Sequence, residues 1–142
     1  MLTTRQIDSK AHTLGITNYI GTFALDEVPH IPMSYRDNMR PGGGGGGDYV
    51  EHFIVNTQTK NLPGQHWVAV SIAPHRGVAL IFDSLGMPPA RQLIRNIQRA
   101  WRTINTIRYT QKQVQSLDSA NCGHWALRHI YLLERSYGNT PC

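Results

Sequence analysis

The sequence predicts a single α+β domain spanning residues 1–142, and three observations carry that prediction. Apolar residues recur at helical spacing near the start, around Leu93 to Trp101, and from Cys122 to Tyr137. Short apolar runs of strand length lie at Phe53 to Val55, Trp67 to Ile72 and Val78 to Phe82. Turn chemistry, Pro74-His75-Arg76-Gly77, separates the last two runs. A chain of 142 residues is near the commonest domain size. It buries roughly 70% of its unfolded surface on folding, enough for one core.

Taken in order, Thr3 or Thr4 caps a first helix running to Thr13, with Ile7, Ala11 and Leu14 on one face and Gly15 as its stop. From Gly21 to Gly47 the chain carries Pro29, Pro32 and Pro41 and ends in six glycines, so the segment is read as irregular and Gly42 to Gly47 as a flexible loop. The glycine run lacks the Lys, Ser or Thr of a phosphate-binding loop and opens no helix. Phe53 to Val55 reads as a buried strand, and residues 67–82 as an antiparallel hairpin turning at 74–77. Pro88 and Pro89 sit where a second helix begins, with Leu93, Ile94, Ile97 and Trp101 on its apolar side. Ile104, Ile107 and Tyr109 suggest another strand, and the last helix runs from Cys122 to Tyr137 before Gly138. No internal repeat is present.

Composition narrows the function. No stretch reaches the roughly 20 apolar residues of a membrane helix, and the polar start, Met1 to Lys10, has no signal-peptide core, so an intracellular protein without a membrane partner is expected. Fourteen Lys and Arg against nine acids give a net charge of +5, which favours a polyanionic partner; a solvated basic surface is the plainer reading. Of the two cysteines, Cys122 opens a helix and Cys142 is the last residue, so no structural disulfide is expected. Sparse cysteine in a reducing compartment directs attention to a nucleophile.

A thiol attacks amides as the thiolate, which a neighbouring imidazole or a helix N-terminus stabilises. Cys122 has the second by position, although a buried inert cysteine would look the same. His66 begins one strand of the hairpin and Asp83 ends the next, so the antiparallel turn brings both to one end of the sheet. There the acid would accept the imidazole N–H and hold the ring for proton exchange with sulfur. Gln115 is a candidate side-chain donor to an oxyanion, in a polar stretch that also holds Gln111 and Gln113. His124 and His129, five apart on the last helix, suit no zinc site and are read as structural; no metal is expected.

The runs Ile54-Val55-Asn56-Thr57, Pro63-Gly64-Gln65-His66-Trp67, Phe82-Asp83-Ser84-Leu85-Gly86, then Gln115 and Ser119-Ala120-Asn121-Cys122-Gly123, together resemble the adenovirus protease (adenain) family. The order His, acid, Gln, Cys is also that of SUMO-specific proteases. The intervals of seventeen from His66 to Asp83 and seven from Gln115 to Cys122, with Tyr19-Ile20-Gly21-Thr22-Phe23 upstream, are closer to the viral branch, which includes proteases of Polinton-type transposons.

This resemblance implies a papain-like fold in circularly permuted order, a small mixed sheet packed against helices that include the nucleophile helix. It implies Cys122 as nucleophile, His66 as general base and acid, Asp83 as the partner of His66 and Gln115 as oxyanion donor. Trp67 would line a channel for small residues, commonly glycine, beside the cleaved bond; a core tryptophan on a strand is the alternative. The implied activity is a thiol endopeptidase, a monomer that cuts viral or transposon precursor proteins during particle maturation, placed in a virion and host nucleus. The chemistry requires no cofactor. DNA is the implied activator, and Arg91, Arg95, Arg99 and Arg102, recurring every three or four residues along the second helix, form a basic stripe that would meet it. Arg102 to Thr110 holds no cysteine, so a disulfide-linked peptide cofactor is not expected. Two other functions fit the same residues: a deubiquitinating or deSUMOylating isopeptidase, and a basic DNA-binding module with an inactive protease site.

Overall fold

Thr3 caps the first helix, α1 (Thr4–Thr13): its Oγ1 accepts the Gln6 N–H at 3.2 Å while Gln6 Oε1 accepts the Thr3 N–H at 2.8 Å. The structure, a computed structural model, describes residues 2–31, 50–57, 66–110, 113 and 122–138. The Gly42 to Gly47 run lies outside them.

After α1 come β1 (Tyr19–Ala24), a 3-10 helix (Leu25–His30), β2 (Glu51–Asn56), β3 (Trp67–Ala73), β4 (Val78–Phe82), α2 (Arg91–Ala100), β5 (Thr106–Tyr109) and α3 (Cys122–Gly138). The expected hairpin is present, with Ala73 opposite Val78 and Ala69 opposite Phe82.

Two expectations need correction. The segment from Gly21 was read as irregular, yet Tyr19–Ala24 is an edge strand parallel to β2, followed by a 3-10 helix that holds Pro29. The strand signal was hidden by a register shift between Tyr19 and Gly21, which breaks the alternation of sides. Gly21 sits at φ 142°, and a Cβ there would come within 2.9 Å of the Phe23 ring, so glycine suits this bulge on both counts. The second helix begins at Arg91 rather than at Pro88 or Pro89, because Ala90 is still extended at ψ 141°. It ends at Ala100, and Trp101 leaves it at φ −124°, ψ 94° while keeping its ring buried.

The five strands run in sequence order across one sheet. The inner pairs, β2 with β3 and β3 with β4, are antiparallel, and both outer pairs are parallel. Alternation along the strands divides the core in two. Phe53, Val55, Val68, Val70, Ile72, Ala79 and Ile81 pack with Val28 of the 3-10 helix and with Leu93 and Ile97 of α2. Ile54, Trp67, Ala69 and Phe82 face the other way, against Ile7 and Ala11 of α1 and Ala126, Leu127 and Ile130 of α3. The sheet is therefore the middle of three layers, and α3 crosses the same face from which Trp67 and Phe82 project.

Several polar groups inside these layers are paired, whereas the buried Thr110 Oγ1 has no hydrogen-bond partner among the described residues. The Trp101 ring stacks on Phe53 at 5.4 Å and 7°, and its indole N–H donates to the buried Glu51 carboxylate at 2.5 Å. Tyr19, Thr22 and Asp8 tie β1 to α1, with Tyr19 OH 2.6 Å from Thr22 Oγ1 and Thr22 donating to Asp8 at 2.5 Å. Burial raises the Tyr19 phenol above its usual range. Among the described residues no helix is long and apolar enough to cross a membrane.

Candidate active site

His66 stands one residue before β3 and Asp83 one residue after β4, so the hairpin delivers both to the same end of the sheet. Their side chains meet: His66 Nε2 is 2.8 Å from Asp83 Oδ1, and the two are 14% and 10% exposed. A carboxylate accepts, so Nε2 carries the proton in this contact and the neutral ring keeps its lone pair on Nδ1. The acid is held in turn. Asp83 Oδ1 also accepts the Leu85 N–H at 2.8 Å, and the Asp83 carbonyl accepts the Gly86 N–H at 2.9 Å, a turn that aims the carboxylate back at the sheet end.

The end of β2 fixes the histidine backbone. Thr57 N–H donates to the His66 carbonyl at 3.0 Å, Thr57 Oγ1 lies 3.4 Å from the same oxygen, and the His66 N–H points to Asn56 Oδ1 at 3.4 Å.

Helix α3 starts at Cys122 and meets this sheet end through its second residue. Gly123 is buried, and a Cβ on it would lie 3.2 Å from Trp67 Cδ1 and 3.2 Å from Leu2 Cδ1. With no side chain at Gly123 the first turn of α3 lies close against the residue that follows His66, where a Cβ would be a tight fit. Unpaired backbone N–H groups and the helix dipole favour negative charge at that turn. The Cys122 side chain and Gln115 lie outside the described residues. Gln113 is exposed.

The fold matches that of a viral protease. The crystal structure of ASFV pS273R protease superposes with a TM-score of 0.65 at 17% sequence identity, over 95% of this chain and 58% of that one. A selenomethionine form of the same protease gives a TM-score of 0.47 at 22% identity, over 65% of this chain and 36% of that one. The chain therefore spans well under two thirds of the protease it matches. No protein-family model matches the sequence, and no curated protein does.

Trp67 is 1% exposed, and its indole N–H donates to the Leu2 carbonyl at 3.0 Å, a setting that fits the core role. Arg91, Arg95, Arg99 and Arg102 are all exposed. The first three share one face of α2, with Leu93 and Ile97 buried beneath, and none pairs with a carboxylate among the described residues. Arg102 lies past the helix end. His124 is exposed, whereas His129 lies half-buried with its ring parallel to Phe82. Among the described residues no three metal-ligating side chains converge.

Two buried residues, His52 and Leu2, were not singled out from the sequence, and Asn56 was singled out without a role. Asn56, within the Ile54-Val55-Asn56-Thr57 motif, places its Oδ1 3.4 Å from the His66 N–H. His52 is buried on β2 with Nδ1 2.7 Å from Ser71 Oγ, and burial, then the neighbouring His129, lowers its pKa to about 4. Its polar type on a strand interior was a signal left unused. Leu2 carried no signal at all.

Proposed function

We propose that the chain is a cysteine endopeptidase with Cys122 as nucleophile, His66 as general base and acid, Asp83 as the partner of His66 and Gln115 as oxyanion donor. The observation that carries this reading is the His66–Asp83 pair at 2.8 Å, at the end of the sheet where α3 begins with Cys122 and lies against Trp67. The likeness in fold to ASFV pS273R protease supports it. So does the order of elements, in which the sheet residues precede the nucleophile helix as in a permuted papain, and the adenain-like motifs point the same way.

With Nε2 committed to Asp83, proton exchange with sulfur runs through Nδ1. The Cys122 thiol gives its proton to Nδ1, and the resulting imidazolium is held by the Asp83 carboxylate. The thiolate attacks the scissile carbonyl, the oxygen develops negative charge against the Gln115 amide and the backbone N–H groups of the helix start, and the C–N bond breaks as Nδ1–H protonates the leaving amine. Water, deprotonated by the same nitrogen, then hydrolyses the thioester. This chemistry needs no metal or cofactor.

Precursor proteins of a virus or transposon, cleaved at glycine-containing sites during particle maturation, are the substrates we assign on the motif resemblance, with the virion and host nucleus as the place of action. Duplex DNA is the partner we assign to the free basic face of α2, as an activator of a monomeric enzyme. The deciding experiment is cleavage of short Gly-containing peptides beside ubiquitin and SUMO fluorogenic substrates, by the parent chain and by Cys122→Ala. Cleavage of the peptides alone, lost in Cys122→Ala and after stoichiometric iodoacetamide, is the expected result. Preferential turnover of the ubiquitin or SUMO substrate would replace endopeptidase by isopeptidase, and cleavage retained by Cys122→Ala would sink both.

A further inference from the structure

Leu2 lies far from Cys122 and His66 in sequence, yet it touches the neighbours of both. It is 8% exposed, its carbonyl accepts the Trp67 indole N–H at 3.0 Å, and its side chain sits in the apolar cluster shared by α1 and α3. Built on Gly123, a Cβ would meet Leu2 Cδ1 at 3.2 Å, Leu2 Cβ at 3.4 Å and Trp67 Cδ1 at 3.2 Å. The three residues therefore form one close contact: Leu2 and Trp67 make the surface on which Gly123 rests. Trp67 is bonded to His66, and Gly123 to Cys122. Whatever sets the distance between Trp67 and Gly123 also sets the distance between the histidine and the start of the nucleophile helix.

We propose that Leu2 is a positioning residue that seats the first turn of α3 against Trp67 and so fixes the Cys122 backbone relative to His66. The inference rests on the endopeptidase reading and adds to it a contact from the segment before α1. Two features make Leu2 more than filler. Its backbone immobilises the indole by a hydrogen bond while its side chain touches the helix, so both sides of the gap are referred to one residue. The segment is itself anchored one residue later, where the Thr3 capping box fixes the start of α1. Packing of this kind is not easily repaired by relaxation, because the surrounding core is close-packed. Proton exchange between sulfur and imidazole depends steeply on separation, and a displacement on the order of 1 Å costs up to roughly 100-fold in rate.

The test compares Leu2→Ala, Leu2→Met, Gly123→Ala and the double variant Leu2→Ala/Gly123→Ala with the parent chain and His66→Ala. Circular dichroism follows the fold, mass spectrometry checks each N-terminus, and iodoacetamide labelling of Cys122 is read against pH by peptide mass so that Cys142 is counted apart. Leu2→Ala is expected to stay folded, to lose about tenfold or more in kcat with little change in KM, and to move the labelling midpoint up by about one pH unit as the thiolate loses its imidazolium partner. Leu2→Met restores both. Gly123→Ala is expected to harm both by pressing on Leu2 and Trp67, and the double variant to recover part of the loss because the tight approach to Leu2 Cδ1 is gone. If the parent thiol labels no faster at neutral pH than that of His66→Ala, the endopeptidase reading fails and takes this inference with it. If the parent thiol is activated by His66 but Leu2→Ala matches it in midpoint and kcat, Leu2 alone is rejected. Unfolding of both Leu2→Ala and Gly123→Ala would also overturn the positioning role, leaving Leu2 a purely structural residue.

Discussion

The imidazole of His129 lies flat on the ring of Phe82, with centroids 4.3 Å apart and planes 2° from parallel. Phe82 is the residue before Asp83, so this stack fastens α3 to the strand that ends in the acid. Aromatic pairs of this kind contribute about 0.5–1.5 kcal/mol beyond their buried area. His129→Ala should therefore destabilise the chain by about 2 kcal/mol or more once the lost contact area is included. His129→Phe should keep most of the stability. Urea denaturation of the two variants checks this, and equal midpoints would mean the stack is incidental.

Acid sensitivity follows from His52. Its folded pKa, about 4, lies below the ordinary value of 6.5 because burial, and then His129, disfavour the charged ring. The unfolded chain binds the proton first as pH falls, so stability is full above about pH 6.5 and drains away down to about pH 4, below which this group contributes no further slope. The size is on the order of 3 kcal/mol. His129, lowered by burial, acts in the same direction. Thermal unfolding across pH 4 to 7 should show the loss, and His52→Asn, with a neutral hydrogen-bonding side chain beside Ser71, should flatten the curve. An unchanged slope in that variant would assign the acid lability to other groups.

The roles assigned around sulfur are graded. Asp83→Asn keeps a side chain able to meet His66 but removes the charge that holds the imidazolium, and turnover should fall by up to roughly 10⁴-fold, the scale seen when a triad acid is made neutral. Gln115→Ala should cost roughly 100- to 1,000-fold in kcat, with Gln113→Ala nearly silent. Sensitivity at Gln113 instead would move the oxyanion donor.

On α2 the exposed Arg91, Arg95 and Arg99 predict duplex DNA binding with little sequence preference and an affinity that falls steeply with salt. Replacing the three with Gln should flatten the log–log salt slope by about two to three units and remove DNA stimulation, while basal peptide cleavage survives. A slope that does not move would place the phosphate contacts on another surface.

What the sequence made legible was local. The β3–β4 hairpin, and with it the meeting of His66 and Asp83, could be read because apolar runs, a Pro-His-Arg-Gly turn and the strand ends all lie within one continuous stretch. The capping of α1 by Thr3 was readable for the same reason. Edge strand β1 was not, since a bulge at Gly21 breaks its alternation and its partner β2 is remote in sequence. Neither were His52 against Ser71 nor Leu2 against Trp67, because each is a contact between elements whose approach is decided by packing rather than by the residues themselves. Pro88 and Pro89 misled in a simpler way: they signal a helix start, but the chain stays extended through Ala90.

The separation of 65 residues between Leu2 and Trp67 has a consequence for how the chain comes into being. During synthesis the hairpin can close, and His66 can find Asp83, as soon as residue 83 has left the ribosome, since both contacts are near in sequence. Cys122 emerges later, and the seat that Leu2 and Trp67 make for Gly123 must wait for the helix this cysteine opens. A nascent chain thus holds a histidine–aspartate pair before its sulfur, and whatever reactivity the cysteine brings is acquired after all five strands of the sheet that will carry it have been made.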